Sequence, residues 1–296
     1  MNESLLTWLD LPDGQGVPKW TGNCFEVGGN RHRVIAYATG ESGWEEELGE
    51  LMDLESTPNK PICKASRWNT IVESRDHIQS QTPTILEIGC SSGYMLQDIR
   101  EEFPDASLIG VDYLYKALER VSGSLEGIPL VQGDVTKDTI PENSVDAVVC
   151  LNVLEHVEDD ALALQMLYKS LKPGGVLILE VPAMSHLFDA FDEYLQHFRR
   201  YDLEPLTRLV KKSGFQILKK NHLGFLPYIP FYLGKRKNQK LLGTSKEEQK
   251  KAMHLVMRTG ASSKLLDLAF NIEKLLRRFV LFPCGVRIIL TCRKPT

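Results

Sequence analysis

The sequence predicts an α/β fold, a mostly parallel sheet covered by helices on both faces. Three observations carry that prediction. Short, continuously apolar segments recur between residues 84 and 223. Segments with helical spacing of apolar residues alternate with them. A last apolar segment near the end has no helix after it. Strands with continuous apolar cores are buried on both faces, and alternation with helices is the mark of crossover connections.

In chain order, residues 11–31 are rich in Gly, Pro and Asn and read as loop. Residues 43–55, GWEEELGELMDLE, suit a short acidic helix. SRWNTIVESRDHIQS (66–80) places Trp68, Ile71, Val72 and Ile78 at helical spacing, and Pro83 closes it. TILEIG (84–89) is the first core strand and leads through SSGY into helix MLQDIREEF. SLIGVD (107–112) is the second strand, followed by helix YLYKALERV. IPLVQGD (128–134) is the third, and SVDAVVCLN (144–152) is the fourth, with a helix around 159–171. GGVLILEVP (174–182) is the fifth. LEPLTRLVKKSG (203–214) is a helix ended by glycine, and FQILKKNHL (215–223) is the sixth strand. GVRIILTCRK (285–294) is a seventh, placed to insert antiparallel at the sheet edge.

The chain has 296 residues, 43% hydrophobic and 25% charged, which excludes collagen-like, mucin-like and wholly disordered classes. No apolar run approaches the ~18 residues of a membrane-spanning helix. The start, MNESLLTWLD, lacks the pattern of a secretory signal. Six scattered cysteines without a CxxC pair point to reduced thiols and a cytoplasmic location. The net charge of −4 hides an asymmetry. Residues 199–296 hold 22 Lys and Arg against 6 Asp and Glu, a balance of +16. That third of the chain either meets an anionic partner or offsets the acidic remainder.

The most informative segment is ILEIGCSSGYML. A strand runs through Glu87, and Gly89, Ser91 and Gly93 open a helix. Glycines at such a turn let backbone and ligand approach closely. A dinucleotide site would show GxGxxG, whereas these glycines fall as GxxxG. A carboxylate at Glu87 opposes a pyrophosphate and suits a ligand with a cationic amino-acid end, such as S-adenosylmethionine. Asp112 ends the second strand, where an acid can accept both ribose hydroxyls. Asp134 follows the third strand, where it can accept from an adenine amine while apolar neighbours clasp the ring.

ILEIGCSSG, VD, QGD, LNVLEHV and LKPGGVLILEVP, in this order and spacing, resemble the class I S-adenosylmethionine-dependent methyltransferases of the type 11, 12 and 23 group. The resemblance covers residues 84–223, and HLFDAFDEYLQHFRRYDLEPL (186–206) resembles members encoded near glycosyltransferases. It implies a Rossmann-like seven-stranded sheet of order 3-2-1-4-5-7-6, with strand seven antiparallel. It implies that Glu87, Gly89, Cys90 and Gly93 hold the methionine end, and that Asp112 holds ribose with Tyr113 beside the adenosine. Asp134 and Val135 would hold adenine, and Asn152 would face the sulfonium. Ser91 stands where the family usually has glycine, which implies a tighter turn. The expected organisation is an N-terminal extension or cap (1–80), a methyltransferase core (81–223), a basic insertion or substrate lid (224–284) and a final core strand (285–296). The expected activity is methyl transfer to a small-molecule or lipid- or sugar-linked acceptor, at oxygen. A silent cofactor-binding scaffold, a nicotinamide-dependent dehydrogenase and a nucleic-acid methyltransferase are the other readings.

Ligands of an open parallel sheet bind beyond the strands' carboxyl ends. His156 and His197 are candidate bases there, with His186 a third, because neutral imidazole takes a proton near pH 7. Lone histidines are more often packing residues, and that is the competing reading, foremost for His156. Arg199, Arg200 and Tyr201 are candidate substrate contacts, and the arginines can instead pair with Asp189, Asp192 or Glu193. No metal site is expected: Glu155, Glu158, Asp159 and Asp160 read as a solvated helix start.

GFLPYIPFYLGKRKNQK (224–240) joins an aromatic stretch to a basic run. SSKLLDLAFNIEKLLRRFVLF (262–282) places Leu265, Leu268, Ala269, Ile272, Leu275, Leu276 and Phe279 on one helical face beside Arg277 and Arg278. Such a helix sits on anionic lipid, with Lys235, Arg236, Lys237 and Lys240 contributing, or turns its apolar face to the core. The location expected is cytoplasmic, with peripheral contact of 224–284 with anionic membrane as the alternative to a core-facing helix, and no nucleic-acid partner is expected.

Overall fold

The computed structural model describes residues 16–37, 58–137, 140–251, 264–277 and 279–296. The acidic segment 43–55 lies outside the described residues. The stretch read as loop contains a small antiparallel sheet of β1 (Lys19–Trp20), β2 (Phe25–Val27) and β3 (Asn30–His32). Gly28 and Gly29, both at positive φ, make the two-residue turn that pairs Val27 with Asn30. Both central residues of such a hairpin turn favour positive φ, so the glycines there signal a hairpin as well as a loop. Trp20 meets Phe25 edge to face at 4.8 Å and anchors this sheet in the core.

β4 (Val34–Ala36) then joins the main sheet, and α1 (Pro61–His77) covers one of its faces. The helix begins five residues before the expected start, because Pro61 sits at its first turn, where a missing N–H costs nothing. Its buried face is also not the apolar one. Ser66, Asn69, Thr70 and Glu73 point inward, while Trp68 is 36% exposed. The reason is Glu73. Its carboxylate accepts from Lys219 Nζ at 2.8 Å and Thr291 Oγ1 at 3.0 Å, and pairs with Arg277.

The remaining elements follow in order: β5 (Thr84–Ile88), α2 (Tyr94–Glu102), β6 (Ser107–Asp112), α3 (Tyr115–Val121), β7 (Leu130–Gln132) and β8 (Val145–Leu151). After them come α4 (Asp160–Ser170), β9 (Leu171–Pro182), the short α5 (Ala190–Tyr194), α6 (Leu203–Lys212) and β10 (Gln216–Leu223). The described chain closes with α7 (Tyr228–Asn238), α8 (Lys264–Leu276) and β11 (Arg287–Arg293). All five residues of β5 are buried, as a central parallel strand requires.

The sheet order is β10-β11-β9-β8-β5-β6-β7-β4, with β11 antiparallel to both neighbours. Numbering the core strands from β5, this is the expected 3-2-1-4-5-7-6 order. The addition is β4, an eighth strand parallel to β7 at the far edge. The N-terminal extension is thus woven into the sheet.

The described residues of the segment 224–284 fold over the carboxyl ends of the strands. Phe270 of α8 is buried with Ala65, Leu223 and Ile289. Glu273 accepts from the backbone N–H of Gly224 at 2.9 Å and of Leu226 at 2.6 Å, which ties α8 to the start of the insertion. The apolar stripe of α8 faces outward: Leu265 is 73% exposed and Leu275 75%. The core-facing alternative is therefore reversed, since Phe270, Glu273 and Arg277 take the inner face. No described helix is long and apolar enough to cross a membrane.

Candidate active site

A cavity of about 1170 Å³ opens beyond the carboxyl ends of β5, β6, β7 and β8. Its walls include Glu87, Asp112, Asp134, His156 and His197, together with Phe231 and Phe270 of the insertion. Natural ligand pockets span roughly 300–1,000 Å³, so this one lies just above that range.

Glu87 is buried at the end of β5, and its Oε2 has no hydrogen-bond partner in the protein. Burial, then the charge of Asp112, pushes its carboxyl well above the usual range, against a hydrogen bond from the Leu96 backbone. Gly89 and Gly93 both adopt positive φ. A Cβ on Gly89 would come within 2.3 Å of Val153 Cγ2, and one on Gly93 within 2.8 Å of Leu125 Cδ1. Ser91 bears the expected tight turn at φ 29°, and its N–H donates to Asp112 Oδ2 at 2.8 Å. Asp112 Oδ1 accepts from Leu114 N–H at 2.9 Å, so this carboxylate braces the glycine turn while lining the cavity.

Cys90 lines the cavity, but its thiol is buried in the core near Gly110, leaving its backbone as the part near the site. Tyr113 is half-exposed on the wall, with Val135 buried nearby in the lining. Asp134 Oδ1 accepts from the Thr136 N–H at 2.9 Å and its hydroxyl at 2.6 Å. Asn152 has φ 54° and donates from Nδ2 to Glu180 Oε1 at 3.1 Å. The predicted cofactor residues thus converge on one wall.

The predicted substrate residues divide. Arg200 lines the cavity, yet its guanidinium is committed to Ala183 O at 2.7 Å and Asp192 Oδ1 at 2.9 Å. Arg199 and Tyr201 are not among the lining residues. Arg199 pairs with Asp160 at 2.7 Å, and the Tyr201 hydroxyl donates to Leu154 O and Asp160 Oδ2. Those two therefore clamp the start of α4. His186 also lies outside the lining, and its backbone oxygen accepts from Gln239. Lys235 is withdrawn from the expected exposed basic cluster: it is buried and pairs with Asp189 and Asp192 at 2.8 Å each.

His156 and His197 meet edge to face, with ring centroids 4.5 Å apart. His197 Nδ1 lies 3.0 Å from Asp192 Oδ1. Burial lowers the pKa of both histidines below the ordinary value, for His197 against the opposing pull of Asp192. Asp192 itself is opposed by burial but held far below the carboxylate range by Arg200, His197 and Lys235.

Glu155 corrects the picture of a solvated acidic helix start. Glu158 and Asp159 are exposed, and Asp159 caps α4 by accepting from Leu162 N–H at 2.9 Å. Glu155 is only 1% exposed and lines the cavity, and burial pushes its carboxyl up to about 8. Sequence reasoning set Glu155 aside as solvated, named Asp192 only as a partner of the arginines, which Arg200 bears out, and did not single out Arg67 or Arg287 on the same walls. The signal available for Asp192 was its capping-box position after Asp189.

The methyltransferase-domain family Methyltransf_23 matches residues 24–220. A Mycolicibacterium smegmatis protein described as a "Probable S-adenosylmethionine-dependent methyltransferase" is 28% identical over 138 residues, 45% of this chain and 52% of that protein. A human tRNA N(3)-cytidine methyltransferase is 37% identical over 145 residues, 44% of this chain and 51% of that protein. The chain thus spans about half the length of these curated relatives. In fold it is similar to the methyltransferase solved with the Trm112 activator of Haloferax volcanii, at TM-score 0.56 and 14% identity, covering 86% of this chain and 100% of that one. The chain belongs to the Methyltransf_23 family and is a class I S-adenosylmethionine-dependent methyltransferase domain.

Proposed function

We propose that this chain methylates an oxygen atom of a small-molecule, or lipid- or sugar-linked, acceptor. The observation that carries the reading is one continuous cavity, running from Glu87 and Asp112 to the histidine wall and the insertion. The residues at its first end fit the cofactor. The buried Oε2 of Glu87 has no partner in the protein, which suits a cationic amine and disfavours a pyrophosphate. Glu87, Gly89, Gly93 and the Cys90 backbone hold the methionine end in this reading. Asp112 and Tyr113 hold ribose, Asp134 and Val135 adenine, and Asn152 the sulfonium side. S-adenosylmethionine supplies the electrophilic methyl group when bound. The protein contributes orientation.

The second end suits a hydroxyl acceptor. A hydroxyl loses its proton as its oxygen is alkylated, so neutral imidazoles facing it are of use. Asp192 holds His197 at Nδ1, which leaves Nε2 to accept a hydrogen bond. Phe231 and Lys235 of α7 and Phe270 of α8 complete the walls, so the insertion acts as the lid.

A further part of the proposal concerns delivery. Leu266 and Phe270 line the cavity on one side of α8, while Leu265, Leu268, Ile272 and Leu275 are exposed on the other. An apolar helix face within a segment of +16 net charge suits the surface of an anionic membrane. A lipid-linked acceptor held there would be one helix width from the cavity.

The test is transfer of isotope-labelled methyl from S-adenosylmethionine to a panel of sugar phosphates, prenyl-linked sugars, small acids and tRNA. Label in an ether or ester of a non-nucleic acceptor supports the reading. Label only in tRNA, or none with cofactor bound, overturns it in favour of the nucleic-acid or silent-scaffold reading.

A further inference from the structure

We propose that Glu155, His156 and His197 form a binding site for a divalent first-row transition-metal ion at the acceptor end of the cavity. This deepens the reading of the histidine wall given above and rests on it only for the ion's use. Three potential ligand atoms, one from each side chain, lie within 4.8 Å of one another. An ion centred among atoms at that outer limit would be about 2.8 Å from each. The cluster therefore closes by roughly 0.6–0.8 Å to reach bonds of about 2.0–2.2 Å. Two imidazoles and one carboxylate are a donor set that zinc, iron and their neighbours accept while keeping positions open for substrate.

The second line of support is how the ligands are held. His197 is bound through Nδ1 to Asp192, the carboxylate–histidine arrangement that sets the tautomer and orientation of a metal-ligating imidazole.

The third is Glu155. Its Oε2 is buried and has no hydrogen-bond partner in the protein. The nearby cations are already engaged: Arg200 and Lys235 with Asp192, and Arg287 with Glu180 at 2.6 Å. A buried carboxylate oxygen left so needs a cation or a proton.

An ion there acts as a Lewis acid on the acceptor oxygen and lowers the pKa of its hydroxyl. The O–H bond breaks, its electron pair stays on oxygen, and the proton leaves to solvent. No oxidant or reductant is required. With the ion in place, the His197 Nε2 is a ligand, and the hydroxyl meets the ion in place of the imidazole.

The experiment uses the whole chain, stripped with chelator and titrated with Co²⁺ as the spectroscopic probe, followed by calorimetry with Zn²⁺. The expected result is one Co²⁺ per chain, with the visible absorption of a low-symmetry site. Glu155→Gln and His197→Ala should abolish it, and Asp192→Asn should weaken binding about 10- to 100-fold. Because His197→Ala alters a packed ring pair, Glu155→Gln, nearly equal in shape, is the deciding variant. Added Zn²⁺ should raise the Tm of the wild type and leave that of Glu155→Gln unchanged. Absence of stoichiometric Co²⁺ binding in the wild type, or unchanged binding in Glu155→Gln, overturns the site. Methyl transfer by the chelated protein would remove the ion's role and leave the methyltransferase reading standing. Failure of S-adenosylmethionine to bind would do the reverse, leaving Co²⁺ binding intact.

Discussion

Lys235 Nζ lies 2.8 Å from Asp192 Oδ2, and Asp192 Oδ1 lies 3.0 Å from His197 Nδ1. One carboxylate therefore joins the insertion to the histidine wall. Replacing Lys235 with Met leaves Asp189 and Asp192 sharing fewer cations in a buried place. Breaking a buried ion pair from one side costs about 3–5 kcal/mol. Lys235→Met should lower the denaturant midpoint accordingly, while S-adenosylmethionine affinity stays within a few-fold, because the proposed cofactor contacts come from β5 to β8. Calorimetry and urea titration of the same sample check both halves.

Cofactor binding should depend on pH through Glu87. Burial and Asp112 raise its pKa, so the empty protein holds this proton over a wider range than a free carboxyl does. An ammonium partner needs the carboxylate. Affinity should therefore fall as pH is lowered through that raised pKa, by at most about tenfold per unit. The sign for stability is opposite: the folded state binds the extra proton, so the empty protein loses stability as pH rises above about 4.3, the unfolded value. Glu87→Gln should flatten both curves, as measured by calorimetry and thermal melts across this range.

The outer face of α8 should bind lipid without supporting the fold. Leu268→Glu with Leu275→Glu changes two exposed side chains, so Tm should move little. Flotation with anionic vesicles should drop sharply in the double variant. Wild-type flotation should weaken with salt, since screening shortens to about 3 Å at 1 M. Phe270→Ala, on the buried face, should cost about 3–5 kcal/mol. Equal flotation of the double variant and wild type would remove the membrane proposal.

Ser91 holds φ 29°, a region that glycine enters more easily. Ser91→Gly should be tolerated, with a stability change of about 1 kcal/mol or less and with cofactor affinity retained. Gly89→Ala should lose cofactor binding, since its Cβ would meet Val153 Cγ2 at 2.3 Å in a backbone region that alanine avoids.

The central sheet was legible because its strands are continuous apolar runs separated by helices, and local pattern suffices for those. The proposed cofactor wall was legible because Glu87, Gly89, Gly93 and Asp112 lie within 26 consecutive residues around one turn. What escaped depends on distant partners. The polar face of α1 is buried because Glu73 meets Lys219 and Thr291, 146 and 218 residues further on. Lys235 reads as part of an exposed basic run until Asp189 and Asp192 are brought against it. β4 is three residues long, too short to show a period, and is defined by its pairing with β7. Glu155 sits in an acidic run, and only the fold separates it from its solvated neighbours.

The most direct test of the methyltransferase account is calorimetric titration of S-adenosylmethionine into the wild-type chain, Glu87→Ala and Asp112→Ala. The account predicts one-site binding to the wild type. Each hydrogen bond to a charged group contributes about 1.5–3 kcal/mol, so each variant should bind roughly ten- to a hundredfold more weakly. The Glu87 variant should melt as a folded protein, and the Asp112 variant should also show a loosened turn, because it loses the acceptor of the Ser91 and Leu114 N–H groups. No binding to the wild type, or the same affinity in all three, would contradict it.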